Sequence, residues 1–275
     1  MALGLGSSVA LGAGDFGGGW SSRRAPVLGV SLVVQIIGFI VTLAAAVLVR
    51  EPFPEAGSVG LGIVAGMLGV AGIIALYHGL AVGRMGVVAP VTGVLAAIVP
   101  VVAGFVLQGL PALPVWAGIA LAIVAVVLVS RAAGVEGGRS GIEFALAAGL
   151  GIGLYTVFLG LIPEGGVFWP LAVMKASALV VLAAIIGIGR GAWRVPRAVL
   201  PVSITVGVCD MLGNGLFLLA AQIGGLAVAA VLTSLYPATT VILAAVLLHE
   251  RITRSHVAGI VAAITAIVLI GVGTA

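Results

Sequence analysis

The chain has 275 residues, of which 62% are hydrophobic and 7% charged, and its mean hydropathy is +1.38. A soluble domain of this size needs roughly a quarter of its residues charged to cover its surface, so lipid replaces water as the main solvent. The net charge of +4 and the pI near 10.0 do not indicate a nucleic-acid partner, because the arginines stand singly or in small groups between apolar runs, where they orient a membrane protein.

Apolar runs bounded by charge, proline or glycine predict ten spans, at 2–20, 27–49, 57–80, 86–107, 115–131, 142–162, 167–189, 198–221, 226–248 and 256–273. Each is long enough to cross about 30 Å of hydrocarbon as a helix. Helix is required because an unpaired backbone amide in lipid costs several kcal/mol. A β-barrel would alternate apolar and polar residues, and runs such as Val99–Val106 do not. The first span is glycine-rich, has no charge before it and is followed by Arg23 and Arg24. That order predicts a retained span and not a cleaved signal. Spans two and three are joined by Arg50–Ala56 and spans four and five by Gly109–Pro114; connections this short make sequential helices antiparallel neighbours. Gly62/Gly66 in span three and Gly149/Gly153 in span six are small-xxx-small pairs that allow close helix packing in lipid.

The two halves align without a gap. A shift of 141 residues lays Thr92 on Thr233, Ala97 on Ala238, Leu107 on Leu248, and Ala117-Gly118-Ile119 on Ala258-Gly259-Ile260. This predicts a duplicated five-helix unit, residues 1–134 and 141–275. Five is odd, so the second unit enters from the opposite side, and the fold class is an all-α membrane protein of ten transmembrane helices in two inverted five-helix repeats. Loops after the odd-numbered spans hold Arg23, Arg24, Arg84, Arg131, Arg139, Arg190, Arg194, Arg197, Arg251 and Arg254, whereas the opposite loops hold only Arg50 beside acidic residues. The arginine bias puts the odd-numbered loops in the cytoplasm and both termini outside.

Ionisable groups inside spans cost at least a few kcal/mol and are functional candidates. Asp15 and Asp210 are the acidic residues within spans, and Lys175 is the only lysine. Asn214 lies four residues after Asp210, on the same helix face, and Lys175 lies at nearly the depth of Asn214. Two readings stand side by side: a polar site at the membrane midplane in which Asp210 binds a proton or an amine, or a Lys175–Asp210 ion pair that only fixes helix packing. Asp15 and His78 fall at similar depth and could relay protons; the alternatives are an interfacial helix-end residue and a histidine bonded to backbone. Thr233, Tyr236 and Thr240 share a face of span nine, with Pro237 loosening the helix beside them; the hydroxyls could line a cavity or bond back to the preceding turn. Tyr155, Thr156 and Thr92 are further candidates of this kind. His249-Glu250-Arg251 reads as a charged helix end more readily than as a solute contact. No phosphate-binding loop, metal motif or catalytic constellation is present, and Cys209 has no partner for an internal disulfide.

The stretch from Leu226 to Pro237 (LAVAAVLTSLYP), followed by LLHERIT at 247–253 and then Gly259, resembles the EamA type of the drug/metabolite transporter superfamily. The first half matches more loosely: Pro90, Thr92, Pro100 and Gly118 are in place, but Gln108-Gly109-Leu110 replaces the His-Glu-Arg turn. The resemblance implies a secondary transporter in a bacterial plasma (inner) membrane, exporting or exchanging small solutes such as amino acids. It implies cavity walls from spans one, three, four, six, eight and nine. The arginine bias runs against the cytoplasmic termini described for many relatives. The expected partners are a small-molecule substrate and the lipid bilayer, with a homodimer left open; no cofactor and no enzymatic activity are expected. Two rivals are kept: a multidrug efflux pump, which would bind hydrophobic cations, and a non-transporting structural subunit.

Overall fold

The computed structural model describes residues 2–108, 113–133, 141–162, 166–189, 191–224, 232, 233, 235–250 and 254–274. Ten helices occur among them: α1 (Ala2–Ser22), α2 (Val27–Leu48), α3 (Ala56–Val82), α4 (Met85–Gln108), α5 (Leu113–Ala133), α6 (Ile142–Gly160), α7 (Phe168–Gly189), α8 (Leu200–Gly224), α9 (Tyr236–Leu247) and α10 (Arg254–Thr274). No strand is present among the described residues. The helix bounds follow the predicted spans within a few residues, except in span nine. Its first residues, 226–231, lie outside the described residues, as do the turn at Gly109 and Leu110, Arg139, Arg190, and the Arg251-Ile252-Thr253 part of the motif.

Five helices, α2, α3, α6, α7 and α8, are long and apolar enough to cross a membrane; the apolar stretches of α4, α5, α9 and α10 are shorter among the described residues. α1 is long, but its glycines, serines and Asp15 dilute its apolarity. Pro237 marks where the described part of span nine begins. It sits in the first turn of α9, where a missing N–H leaves no intrahelical hydrogen bond unmade, and residues 232 and 233 before it are helical as well.

The helices pack as a network. The pairs α3–α6, α1–α8, α4–α6, α1–α9, α3–α7, α2–α8, α2–α7, α4–α9 and α5–α10 are all in contact. The main core joins Phe16, Val30, Leu76, Leu80, Met85, Val88, Ala148 and Val206 from six helices, and a smaller one joins Val94 and Ala125 to Ala263 and Ala266. Gly62 and Gly66 lie against Val173 and Met174 of α7, and Gly149 and Gly153 lie against Leu95 and Val99 of α4. Both pairs thus sit at helix crossings, as their spacing predicts. Large apolar side chains such as Val180, Ile188, Ile223 and Val261 point outward.

Two non-glycine residues adopt left-handed backbone, Arg50 (φ 55°) just after α2 and His249 (φ 54°) just after α9. Such a conformation costs about 1–2 kcal/mol per residue. In both cases the next residue is a glutamate that reaches the N-terminus of another helix. The Phe168 N–H donates to Glu51 Oε2 at 2.9 Å and Oε1 at 3.2 Å, the Trp169 N–H donates to Oε1 at 3.2 Å, and Trp169 Nε1–H donates to the Glu51 carbonyl at 2.9 Å. A carboxylate there satisfies amides that have no intrahelical acceptor and meets the positive end of the helix dipole. Glu51→Ala is therefore expected to lower stability by about 1–2 kcal/mol, read as a lower melting temperature in detergent.

Candidate functional site

The polar centre of the bundle is built around one ion pair. Lys175 on α7 donates to Asp210 Oδ2 on α8 at 2.5 Å. Both are buried, at 4% and 7% exposure, so neither charge is answered by bulk water. Gly38 on α2 lies beside the Lys175 stem, where an added Cβ would come within 3.1 Å of Cε. Asn214, one turn beyond Asp210, donates from Nδ2 to the Asp210 carbonyl at 2.8 Å and to Oδ1 at 3.2 Å. Tyr155 on α6 donates to Asn214 Oδ1 at 3.4 Å. The chain Lys175–Asp210–Asn214–Tyr155 thus runs through three helices.

A second carboxylate stands across from this chain. Asp15 on α1 lies within electrostatic reach of Asp210, and it makes no hydrogen bond or ion pair among the described residues. All three tyrosines of the sequence converge here: Tyr77 and Tyr155 lie within reach of both carboxylates, and Tyr236 lies within reach of Asp15 and Tyr155. Tyr77 packs flat against α1 because Gly18 has no side chain; a Cβ there would overlap the ring. The centre therefore holds two carboxylates, one ammonium and three phenols.

Tyr236 Oη, in this centre, has no hydrogen-bond partner, and neither have, elsewhere, the buried Thr233 Oγ1 beside α9 and Gln35 Oε1 and Ser31 Oγ on α2. An unsatisfied buried polar group costs about 1–3 kcal/mol, and a bound solute or water would remove that cost. Other predicted candidates are engaged in packing. Thr92 donates to the Ala145 carbonyl at 3.3 Å, joining α4 to α6. Thr240 donates to the Gly12 carbonyl at 3.0 Å, and Ser7 to the Gly213 carbonyl at 2.8 Å, tying α1 to α9 and α8. Thr156 bonds back to Ile152 O at 2.9 Å. His78 meets the Phe144 ring edge-on at 4.4 Å, while its neighbour Tyr77 is the residue that faces the carboxylates.

Sequence reasoning passed over Tyr77 and Gln35. Gln35 carried a usable signal, as an amide in the middle of an otherwise apolar span. Tyr77 carried a weaker one, being one of only three tyrosines. Among the described residues no three His, Cys, Asp or Glu side chains gather as a metal site would require.

Apolar helices with lipid-like exteriors around a buried polar centre define a multi-pass helical membrane protein. Residues 139–272 match the family model described as EamA-like transporter family, and this part of the chain belongs to that family. The family is one of membrane transporters of the drug/metabolite type, in agreement with the turn at 247–253. No curated protein matches the chain. A solved crystal structure superposes with a TM-score of 0.68 at 14% identity, over 96% of this chain and 94% of the other; the likeness shows a shared fold.

Proposed function

We propose that the chain is a secondary carrier that exports small polar metabolites, amino-acid-like in charge, across a bacterial inner membrane in exchange for protons. The observation that supports this most is the central cluster. Lys175 offers a cation to a carboxylate, Asp15 and Asp210 offer anions to an ammonium or a proton, and the unpartnered Tyr236 oxygen offers a hydrogen bond. Ionisable groups at this depth are costly unless a transported species uses them.

The helix pairing supports an inverted repeat of residues 1–134 and 141–275. Adding five to each helix number in the first half, and subtracting five in the second, turns α3–α6 into α8–α1, α4–α6 into α9–α1 and α3–α7 into α8–α2, while α2–α7, α4–α9 and α5–α10 map onto themselves. A polar site at the junction of two such halves fits alternating access from either side.

The test is untargeted comparison of metabolites inside and outside cells with and without the protein, followed by flux of the enriched solutes into proteoliposomes under an imposed pH gradient. Export of zwitterionic or amine solutes that responds to the gradient is expected. An unchanged metabolite distribution together with silent proteoliposomes would leave the chain as a non-transporting subunit; export of hydrophobic cations alone would make it a drug pump.

A further inference from the structure

One polar cluster lies away from the central site, where α1, α3, α4 and α9 end together. Arg23, just past α1, donates from Nε to the Leu80 carbonyl at 3.2 Å and from Nη2 to the Gly83 carbonyl at 3.2 Å, closing onto the end of α3. The same Nη2 donates to Glu250 Oε1 at 3.2 Å. Glu250, just past α9, accepts from the Met85 N–H at 3.3 Å and the Gly86 N–H at 3.2 Å, the first amides of α4. The two side chains are 27% and 17% exposed, so the pair sits at the rim of the bundle and is partly shielded from water.

These four helices carry much of the central site further along their lengths. On α1, Asp15 precedes Arg23 by eight residues, about 12 Å of helix. On α3, Tyr77 precedes Gly83 by six residues, about 9 Å. α9 opens with Tyr236, and a Cβ on Gly93 of α4 would come within 3.5 Å of the Tyr236 hydroxyl. Between the two levels lies a layer of buried apolar side chains, Phe16, Leu80, Met85 and Val88. Leu80 and Met85 press against α1 at Gly19. A polar solute leaving the centre toward Arg23 meets this dry layer first and the ion pair second.

We infer that the Arg23–Glu250 pair is a gate, a clasp that shuts this end of the bundle over the central cluster and opens to let a solute pass. The inference rests on reading the central cluster as a solute site. The chemistry suits a reversible clasp. A charge-assisted hydrogen bond at a part-exposed rim is strong enough to hold and cheap enough to break. Glu250 spends one carboxylate on two jobs, pairing with Arg23 and capping α4, so opening either contact weakens the other. The left-handed backbone at His249 aims the carboxylate across the rim, which an uninterrupted helix end would not do.

The experiment reads the clasp without a substrate. In a Cys209→Ser background, Ala89→Cys places a thiol in the fully buried layer one turn beyond Met85 on α4. The rate at which a positively charged, membrane-impermeant methanethiosulfonate labels that thiol in purified, detergent-solubilised protein reports how often the end opens. Glu250→Gln is expected to raise the rate about tenfold. Arg23→Gln, which leaves the α4 cap in place, should act in the same direction. Glu51→Gln, which loosens the α7 N-terminus instead, should leave the rate unchanged. An unchanged rate in both clasp variants overturns the gate, and so does an equal rise in all three, which would mean general loosening. A rise confined to the clasp variants in a protein that moves no solute supports the gate and refutes the carrier reading, so the two failures are separable.

Discussion

Asp210→Ala is expected to be the most damaging single substitution in the chain, costing about 3–5 kcal/mol of stability. The reason is one-sided removal. Lys175 is 4% exposed and held by Asp210 at 2.5 Å; without the carboxylate it remains a buried ammonium that has lost its hydrogen-bonded counter-charge. Lys175→Met alone strands Asp210 in the same way, although Asn214 continues to donate to it. Removing both charges with Lys175→Met and Asp210→Leu takes away the desolvation cost as well as the attraction, so the double variant should recover most of the lost melting temperature. The recovered protein then separates the two roles of the pair. If it only fastens α7 to α8, flux returns with the fold. If Asp210 and Lys175 meet the solute, the fold returns and flux does not, which is the outcome expected here.

Asp15→Asn should give the reverse pattern. Asp15 makes no hydrogen bond or ion pair among the described residues, so neutralising it removes a desolvated charge without orphaning another. Stability should change by no more than about 1 kcal/mol. Flux driven by a pH gradient should fall about a hundredfold, the typical weight of a positioned proton-transfer group. Full retention of gradient-driven flux in Asp15→Asn would remove Asp15 from the mechanism and leave Asp210 as the remaining acidic group in the centre.

The fold was legible because lipid simplifies the code. Backbone groups must be satisfied within helices, so apolar runs and their polar breaks give the helix order directly, from Arg23 after α1 to Gly141 before α6. The Lys175–Asp210 contact was legible for a related reason: a buried lone lysine requires a counter-charge, and depth counting left few choices. The convergence of three tyrosines was not, because Tyr77, Tyr155 and Tyr236 sit on three different helices and only packing decides which face each presents. The partners of Glu250 were not legible either. In sequence it belongs to a charged helix end, and nothing local announces that His249 turns left-handed and sends the carboxylate to α4.

The glycines of α1 carry a consequence for how recognition could diversify on this scaffold. Gly12 faces Thr239 and the Tyr236 carbonyl, Gly17 faces Val206, and Gly18 and Gly19 face Tyr77, Leu80 and Met85. Through this stretch α1 is a bare axle, and its neighbours' side chains fill the room its own would need. Asp15 apart, the vocabulary of contacts therefore belongs to α3, α6, α7, α8 and α9, where one side chain can be exchanged for another while the axle stays put. A methyl added at Gly12, Gly18 or Gly19 instead drives into a neighbouring helix.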